Sequence, residues 1–191
     1  MPSLLGHAVA GLAITESFSR AKLPRRTWVL APLCAVAPDL DWFLSFLNIH
    51  KNHIMNHRGV AHSLFGALLL AAAILLVTYR RHQRSGQLWL CLSLAALSHG
   101  IMDACTSGGV GVALFMPFSD SRWVCVWRPI RVAPLPMGRE DCYLFLASLL
   151  TEAIWIGLPA LALILWSRLR RKLALVPSLA DPLPELEKVG A

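Results

Sequence analysis

The sequence predicts an all-α fold, a polytopic membrane helix bundle with about four to five transmembrane segments and an interfacial loop. Hydrophobic residues make up 56% of the 191 positions and charged residues only 15%, whereas a soluble domain carries about 25% charged residues. Long apolar runs recur along the chain, and basic residues cluster in the short stretches between them. We therefore expect a single membrane-embedded domain over residues 1–172, followed by a disordered cytoplasmic tail over residues 173–191.

Five apolar segments are candidates for membrane helices. A helix that crosses a bilayer needs about 20 apolar residues, and the candidates cover residues 4–19, 28–47, 60–79, 87–104 and 143–166. The third is the clearest, and the first is short and contains Glu16. Pro32 and Pro38 interrupt the second. We expect a short helix there to about Ala37, then a turn, then an interfacial stretch at residues 42–47.

The basic residues predict an orientation for these segments. The stretches 20–26, 80–84 and 168–172 carry four, three and four Lys or Arg residues. Such stretches face the cytoplasm by the positive-inside rule, which leaves the N-terminus, residues 48–59 and residues 105–142 outside. The net charge of +7 is explained by these clusters. We therefore expect the lipid bilayer, and no nucleic acid, as a partner.

The predicted outer loop at residues 106–132 is rich in aromatic residues. The alternation in "RWVCVW" (122–127) and the nearby phenylalanines indicate an amphipathic segment at the membrane interface. It would act as a lid that admits a lipid-like substrate laterally, or as a structural flap. Cys125 and Cys142 would form a disulfide if the loop faces an oxidising compartment.

Eight side chains of metal-ligating type fall at one predicted depth, near the outer ends of the segments. They are His7, Asp39, Asp41, His57, His62, His99, Asp103 and Glu152. Each one alone would more simply be a hydrogen-bonded or capping residue, but independent structural roles do not predict a shared depth. His99 and Asp103 are four residues apart, on one helix face. Imidazole with carboxylate suits zinc, with manganese or iron as alternatives.

The basic side chain next to this set suggests a substrate. Arg58 cannot ligate a metal, but a guanidinium beside a metal site suits a bidentate phosphate or carboxylate oxygen pair. An ordinary charge in an outer loop is the alternative. A bound divalent metal would lower the pKa of water towards 7 and so activate it for hydrolysis.

Four stretches together resemble a known family. "PDLD" (38–41), "HRGVAHS" (57–63), "SHGIMDACTSGGV" (98–110) and "PFSDSRW…WRPI" (117–130) are similar, in matching order, to motifs of the YdjM family of membrane-bound metal-dependent hydrolases. The resemblance covers roughly residues 3–155 and implies a multi-pass protein of the bacterial inner membrane. It also implies a distant relationship to zinc-dependent phospholipase C and P1 nuclease, all-helical enzymes that cleave phosphoesters.

The resemblance implies roles for individual residues. In those relatives the ligands include an early His, an Asp followed by a His, and an HxxxD helix, an order matched by His7, Asp39, His57 or His62, and His99 with Asp103. The relatives' final HxxxE motif corresponds to Ser148–Glu152, which lacks the His. One or two divalent ions are therefore expected, most simply zinc.

These observations together predict a metal-dependent hydrolase whose active site faces the outside. Metal-activated water would attack a phosphoester of a phospholipid, a lipid-linked phosphate or a nucleotide. One of Asp39 and Asp41 would hold metal, and the other, by preference Asp39, would act as a general base. Arg58 would stabilise charge on the phosphoryl oxygens, and Glu152 would be a ligand or would orient one. Two alternatives remain, an intramembrane metal or proton transporter and a non-catalytic metal-binding membrane protein. The apolar inner halves of the segments, such as residues 68–77, favour a one-sided site.

Overall fold

The described part of the chain consists of α-helices, two 3₁₀ turns, one π-helical turn and one long irregular loop. A computed structural model describes residues 1–18, 23–41, 58–79, 83–134 and 138–174. The α-helices are α1 (Leu4–Ser17), α2 (Thr27–Val36), α3 (Leu64–Thr78), α4 (Ser85–Ala104), α5 (Arg139–Glu152) and α6 (Leu158–Leu173). Within the described residues, extended structure is confined to the isolated bridges Thr106–Ile130 and Val112–Trp123. The prediction of an all-α fold is confirmed.

Local sequence signals explain where several helices begin and end. Ser3 and Ser63 cap α1 and α3, since each side chain accepts a hydrogen bond from the backbone N–H three residues later. A 3₁₀ turn at Ala37–Asp39 follows α2 and contains Pro38, which confirms the predicted helix end near Ala37. A second 3₁₀ turn, Val60–His62, precedes α3. The predicted interfacial stretch at residues 42–47 lies outside the described residues.

Helix packing depends on small side chains. Helix α1 packs against α2, α4 and α6, and α4 packs against α2 and α3. The core where α2, α3 and α4 meet consists of Ala31, Cys34, Ala35, Ala67, Ala71, Cys91, Leu92, Ala95 and Ala96. Small residues let helix backbones approach closely, so side chains near one end of the bundle are brought together.

One continuous helix is long and apolar enough to cross a membrane. A π-helical turn at Ala153–Gly157 joins α5 to α6, so that the helix runs over 35 residues from Arg139 to Leu173. The apolar helices Thr27–Asp39 and Leu64–Thr78 have between 10 and 17 residues, fewer than the roughly 20 that span a bilayer without local thinning. The number of four to five spans therefore stays a prediction.

Residues 105–134 form an irregular loop that folds back over the end of α4. Val112 exchanges two backbone hydrogen bonds with Trp123, and the N–H of Ser107 donates to the carbonyl of Ile130. Val112, Ala113, Met116 and Ile130 are buried, whereas Phe118, Val126 and Trp127 are largely exposed. The loop thus carries apolar side chains on its outer surface, as the sequence predicts for an interfacial segment. The predicted tail at residues 173–191 lies almost wholly outside the described residues.

Candidate metal centre

Five buried side chains from four segments of the chain meet at one end of the bundle. Asp39, His62, His99 and Asp103 each offer one ligand atom, and these four atoms all lie within 4.8 Å of one another. His7 lies beside them, with Nε2 at 3.8 Å from Oδ1 of Asp103 and 4.0 Å from Oδ2 of Asp39. These five residues are called the cluster below. Helix α1, the turn after α2, the turn before α3, and α4 supply its members.

The fold brings the members together by close backbone approach. His99 and Asp103 occupy successive turns of α4, and His99 Nε2 lies 4.0 Å from Asp103 Oδ2. Gly100 lies between them in sequence, and a Cβ there would lie 2.5 Å from the carbonyl oxygen of His62. Glycine at position 100 therefore lets the turn that carries His62 reach the face of α4.

The distances among the cluster atoms fit a tetrahedral ion. Ligands bound at about 2.0–2.1 Å lie roughly 3.3 Å apart around a tetrahedral metal. Oδ1 of Asp39 is 3.5 Å from Nε2 of His62 and 3.4 Å from Nε2 of His99. Oδ2 of Asp103 is 3.6 Å from Nε2 of His62. These three distances lie near that spacing, and the four ligand atoms together lie within 4.8 Å of one another.

The two carboxylates present different oxygens to the two sides of the cluster. Asp39 Oδ1 and Asp103 Oδ2 face His62 and His99, whereas Asp39 Oδ2 and Asp103 Oδ1 face His7. The rings of His7 and His99 stack with centroids 3.9 Å apart. One group of four potential ligands thus lies on one side, and His7 faces the two remaining carboxylate oxygens on the other. The number of ions stays a prediction.

Several atoms of the cluster are buried without a hydrogen-bond partner among the described residues. They are both ring nitrogens of His7, both carboxylate oxygens of Asp39 and of Asp103, and Nε2 of His99. Burying polar atoms without partners costs about 1–3 kcal/mol each, and charged groups cost more. A cation bound among them would remove this penalty, so the donor set and its burial fit a metal ion.

Contacts around the cluster orient its histidines. Nδ1 of His99 lies 2.7 Å from the carbonyl oxygen of Ala35. A carbonyl only accepts, so Nδ1 carries the proton and Nε2 presents its lone pair to the cluster. Nδ1 of His62 lies 3.2 Å from Oδ2 of Asp41, in the manner of carboxylates that support metal-binding histidines. Asp41, predicted as a ligand, therefore contacts the far side of His62, while Asp39 lies in the cluster.

Arg58 lies against the cluster in a strained conformation. Its φ is 65°, a region that non-glycine residues seldom adopt and that often marks functional sites. Nε lies 3.3 Å from Oδ2 of Asp103, and Nη1 donates to the carbonyl of Gly108 at 3.2 Å. Its own carbonyl accepts from the N–H of Ala113. The predicted placement of a guanidinium beside the candidate ligands agrees with this geometry.

Glu152 does not join the cluster. Its two carboxylate oxygens accept hydrogen bonds from the backbone N–H and the hydroxyl of Ser3, at 2.6 and 2.5 Å. Ser3 caps α1 one turn before His7. Of the two roles predicted for Glu152, a ligand or a residue that orients one, the structure agrees with the second, since Glu152 fastens the start of the helix that carries His7. His57, another predicted ligand, lies outside the described residues.

One cysteine contact differs from the pairing that the sequence predicts. Sγ of Cys125 lies 2.7 Å from Sγ of Cys105, whereas Cys142, its predicted partner, is exposed on α5.

At the opposite end of α1 from the cluster, the buried carboxylate of Glu16 pairs with Arg168 and Arg171 of α6. The basic run at 168–172 was interpreted only as an orientation signal, because a buried carboxylate partner is not visible in sequence.

An all-helical chain with a membrane-length helix and a buried His/Asp cluster defines a membrane protein with a candidate metal centre. The comparisons with known proteins agree, since a family described as YdjM inner membrane protein matches residues 1–174. The chain belongs to the YdjM family, as its motifs indicated. It is 31% identical over 174 residues to inner membrane protein YbcI of Escherichia coli (strain K12), across 89% of this chain and 100% of that protein. No solved structure matches the chain.

Proposed function

We propose that this protein is a multi-pass inner-membrane hydrolase that cleaves a phosphoester with the help of a divalent metal. The observation that carries the proposal is the cluster, in which ligand atoms of four buried residues lie within 4.8 Å of one another. Buried ionisable side chains in membrane proteins are costly and usually functional. The family and the relative, inner membrane protein YbcI, support the inner-membrane location.

Each member of the cluster has a distinct role in the proposal. His62, His99, Asp39 and Asp103 would supply the ligands of one ion, three of them if the ion is tetrahedral and keeps its fourth position for water, and a mixed nitrogen and oxygen donor set favours zinc. His7, with the remaining oxygen of Asp103, would hold a second ion or orient the water. A bound divalent ion supplies Lewis acidity and lowers the pKa of a coordinated water towards 7.

The residues of the chain supply the rest of the chemistry. Asp39 Oδ2 points to the His7 side, 4.0 Å from Nε2 of His7, where it accepts the proton of the attacking water. Arg58 keeps its Nε on Asp103 and one Nη on Gly108. The remaining guanidinium donors bind the phosphoryl oxygens and stabilise the charge that develops on them.

The loop at residues 105–134 favours a lipid-like substrate. It covers Arg58 through the bonds to Gly108 and Ala113, so the substrate reaches the cluster when this part of the loop moves. The exposed apolar side chains of Phe118, Val126 and Trp127 suit the membrane interface. A substrate with its phosphoester at headgroup depth would meet the cluster there.

The proposed orientation places the cluster on the outer, periplasmic side of four to five spans. Glu16 at the end of α1 and its partners Arg168 and Arg171, in the basic stretch at 168–172, mark the opposite end of the bundle. Helices α1 and α3, with 14 and 15 residues, suit spans only where the bilayer thins locally. The exposed apolar side chains of α1, α2, α3 and α4, such as Leu5, Val29, Leu76 and Leu90, support contact with lipid.

A transporter fits the described residues less well. A proton or metal pathway needs polar groups along its whole length. Within the described chain, the single group of three or more potential metal ligands is that of Asp39, His62, His99 and Asp103, at one end of the bundle. This observation favours a one-sided site.

Hydrolysis by the purified protein tests the proposal. Detergent-purified chain loaded with zinc is incubated with bis-p-nitrophenyl phosphate and with phosphatidylcholine vesicles. We expect turnover that falls roughly 100-fold or more in Arg58→Gln, because one oxyanion-stabilising donor is worth about that much. Asp120→Asn is the control, since this exposed carboxylate lies in the loop that covers Arg58.

Two outcomes of this assay would contradict the hydrolase proposal. Zinc-loaded protein that turns over neither substrate while it carries zinc into proteoliposomes would replace the hydrolase by a transporter. Turnover that survives unchanged in both Arg58→Gln and His99→Ala would assign the activity to a contaminant or to another site.

A further inference from the structure

Two cysteines meet beside the candidate metal centre. Sγ of Cys105 lies 2.7 Å from Sγ of Cys125, only about 0.7 Å beyond the length of a disulfide bond. Cys105 is the residue that ends α4, two positions after Asp103. Cys125 belongs to the apolar outer part of the loop, between Val124 and Val126. Both are only partly buried, so an oxidant can reach them.

The backbone holds the pair in place without help from the sulfur atoms. The N–H of Cys125 donates to the carbonyl of Ala104 at 2.9 Å. On either side of it, Trp123 pairs with Val112, and Ile130 pairs with residues 106 and 107. A loop fastened at these points keeps the two cysteines together in the reduced protein as well. Their proximity is therefore a property of the fold, and it does not depend on chance encounters.

We propose that Cys105 and Cys125 form a disulfide that fastens the loop to the end of α4. A thiolate of the pair attacks the disulfide of an extracytoplasmic thiol oxidant and forms a mixed disulfide. The second cysteine then displaces the oxidant, which leaves as a dithiol. The two thiols lose two electrons and two protons, and the oxidant gains them. The proposal goes beyond the hydrolase function and does not require it, but it rests on the proposed orientation, which places the loop on the extracytoplasmic side.

The crosslink would enclose the part of the loop that covers Arg58. Gly108 and Ala113, which bond to Arg58, both lie between the two cysteines in sequence. A closed loop can still open over the candidate centre, but its two ends stay fixed beside Asp103. The disulfide therefore limits where the loop moves without sealing the site.

Counting thiols in the full-length chain tests the proposal. Cells that express the protein are quenched in acid, which traps thiols before lysis, and the denatured protein is labelled with a maleimide polymer that shifts its gel mobility. The chain has five cysteines, so a single disulfide predicts three labels before reduction and five after. Cys105→Ser and Cys125→Ser should each give four labels with or without reductant.

The remaining cysteines provide controls. Cys142→Ser removes the exposed cysteine and should give two labels before reduction and four after, as should Cys34→Ser. Five labels on the wild type before reduction would overturn the proposal. So would a reductant-dependent shift that disappears in Cys142→Ser, because it would assign the pairing to Cys142. Label counts require neither metal nor turnover, so this result is independent of the hydrolase assay.

Discussion

Nδ1 of His99 lies 2.7 Å from the carbonyl oxygen of Ala35, which ties the central histidine of the cluster to helix α2. The bond fixes both the tautomer and the orientation of the ring, because the carbonyl can only accept a proton. Ala35 belongs to the small-residue core where α2 meets α4. Helix packing and ligand geometry are thus coupled, and a site of this kind is preorganised by the bundle itself.

The contact between Asp41 and His62 predicts a change in metal affinity. Asp41→Asn removes the charge that supports Nδ1 of His62, and loss of such a supporting group typically lowers affinity about 10- to 100-fold. We expect that loss, measured by competition with a chromogenic chelator, with the same number of ions bound at saturation. Asp120→Asn is the control. An unchanged affinity would show that Asp41 does not support the site.

Gly109 predicts a separation of activity from metal binding. Its φ is +88°, and a Cβ there would lie 2.2 Å from Nη1 of Arg58. Gly109→Ala should therefore displace the guanidinium and lower hydrolysis at least 10-fold, while the metal content measured by elemental analysis stays at the wild-type level. Gly86→Ala serves as the control, because a Cβ at Gly86 meets nothing within 4 Å. Full activity in Gly109→Ala would contradict the role of Arg58.

The pairing of Ser3 with Glu152 predicts coupled losses of stability. Hydrogen bonds to a charged group contribute about 1.5–3 kcal/mol each, and these hold the start of the helix that carries His7. Ser3→Ala and Glu152→Gln should each lower the melting temperature in detergent. The double variant should lose less than the sum of the two single losses. Additive losses would show that the two residues act separately.

The ion pairs at the other end of α1 predict that removing both arginines destabilises the protein more than removing the glutamate. Arg168 and Arg171 are partly exposed, whereas Glu16 is buried. The double variant Arg168→Ala/Arg171→Ala leaves a buried carboxylate without its cations. The loss should lower the free energy of unfolding by about 1–3 kcal/mol or more. Glu16→Ala lets both guanidinium groups return to water. The double arginine variant should therefore unfold at lower denaturant concentration than Glu16→Ala, and the reverse order would contradict this account.

The sequence predicts the depth of the site better than its contacts. His7, His99 and Asp103 could be recognised because helical spans carry them to a common level, and the structure brings all three together. The preference for Asp41 over Asp39 as the ligand differs from the structure, which places Asp39 in the cluster and Asp41 behind His62. A proline-containing turn, rather than a helical period, decides where each carboxylate points. The partner of Glu152 is Ser3, 149 positions away. Cys105 is likewise brought to Cys125 by the course of an irregular loop, which no periodicity encodes.

Metal content of the purified chain tests the central claim most directly. The protein is purified in detergent without added metal, and divalent metals are measured per chain by elemental analysis for the wild type, His99→Ala, Asp103→Asn and Asp120→Asn. The account predicts one or two ions, mostly zinc, in the wild type and Asp120→Asn, with less than a tenth of that in both cluster variants. Wild-type metal content in His99→Ala and Asp103→Asn, or a wild type that binds no divalent metal even after zinc is supplied, would contradict it.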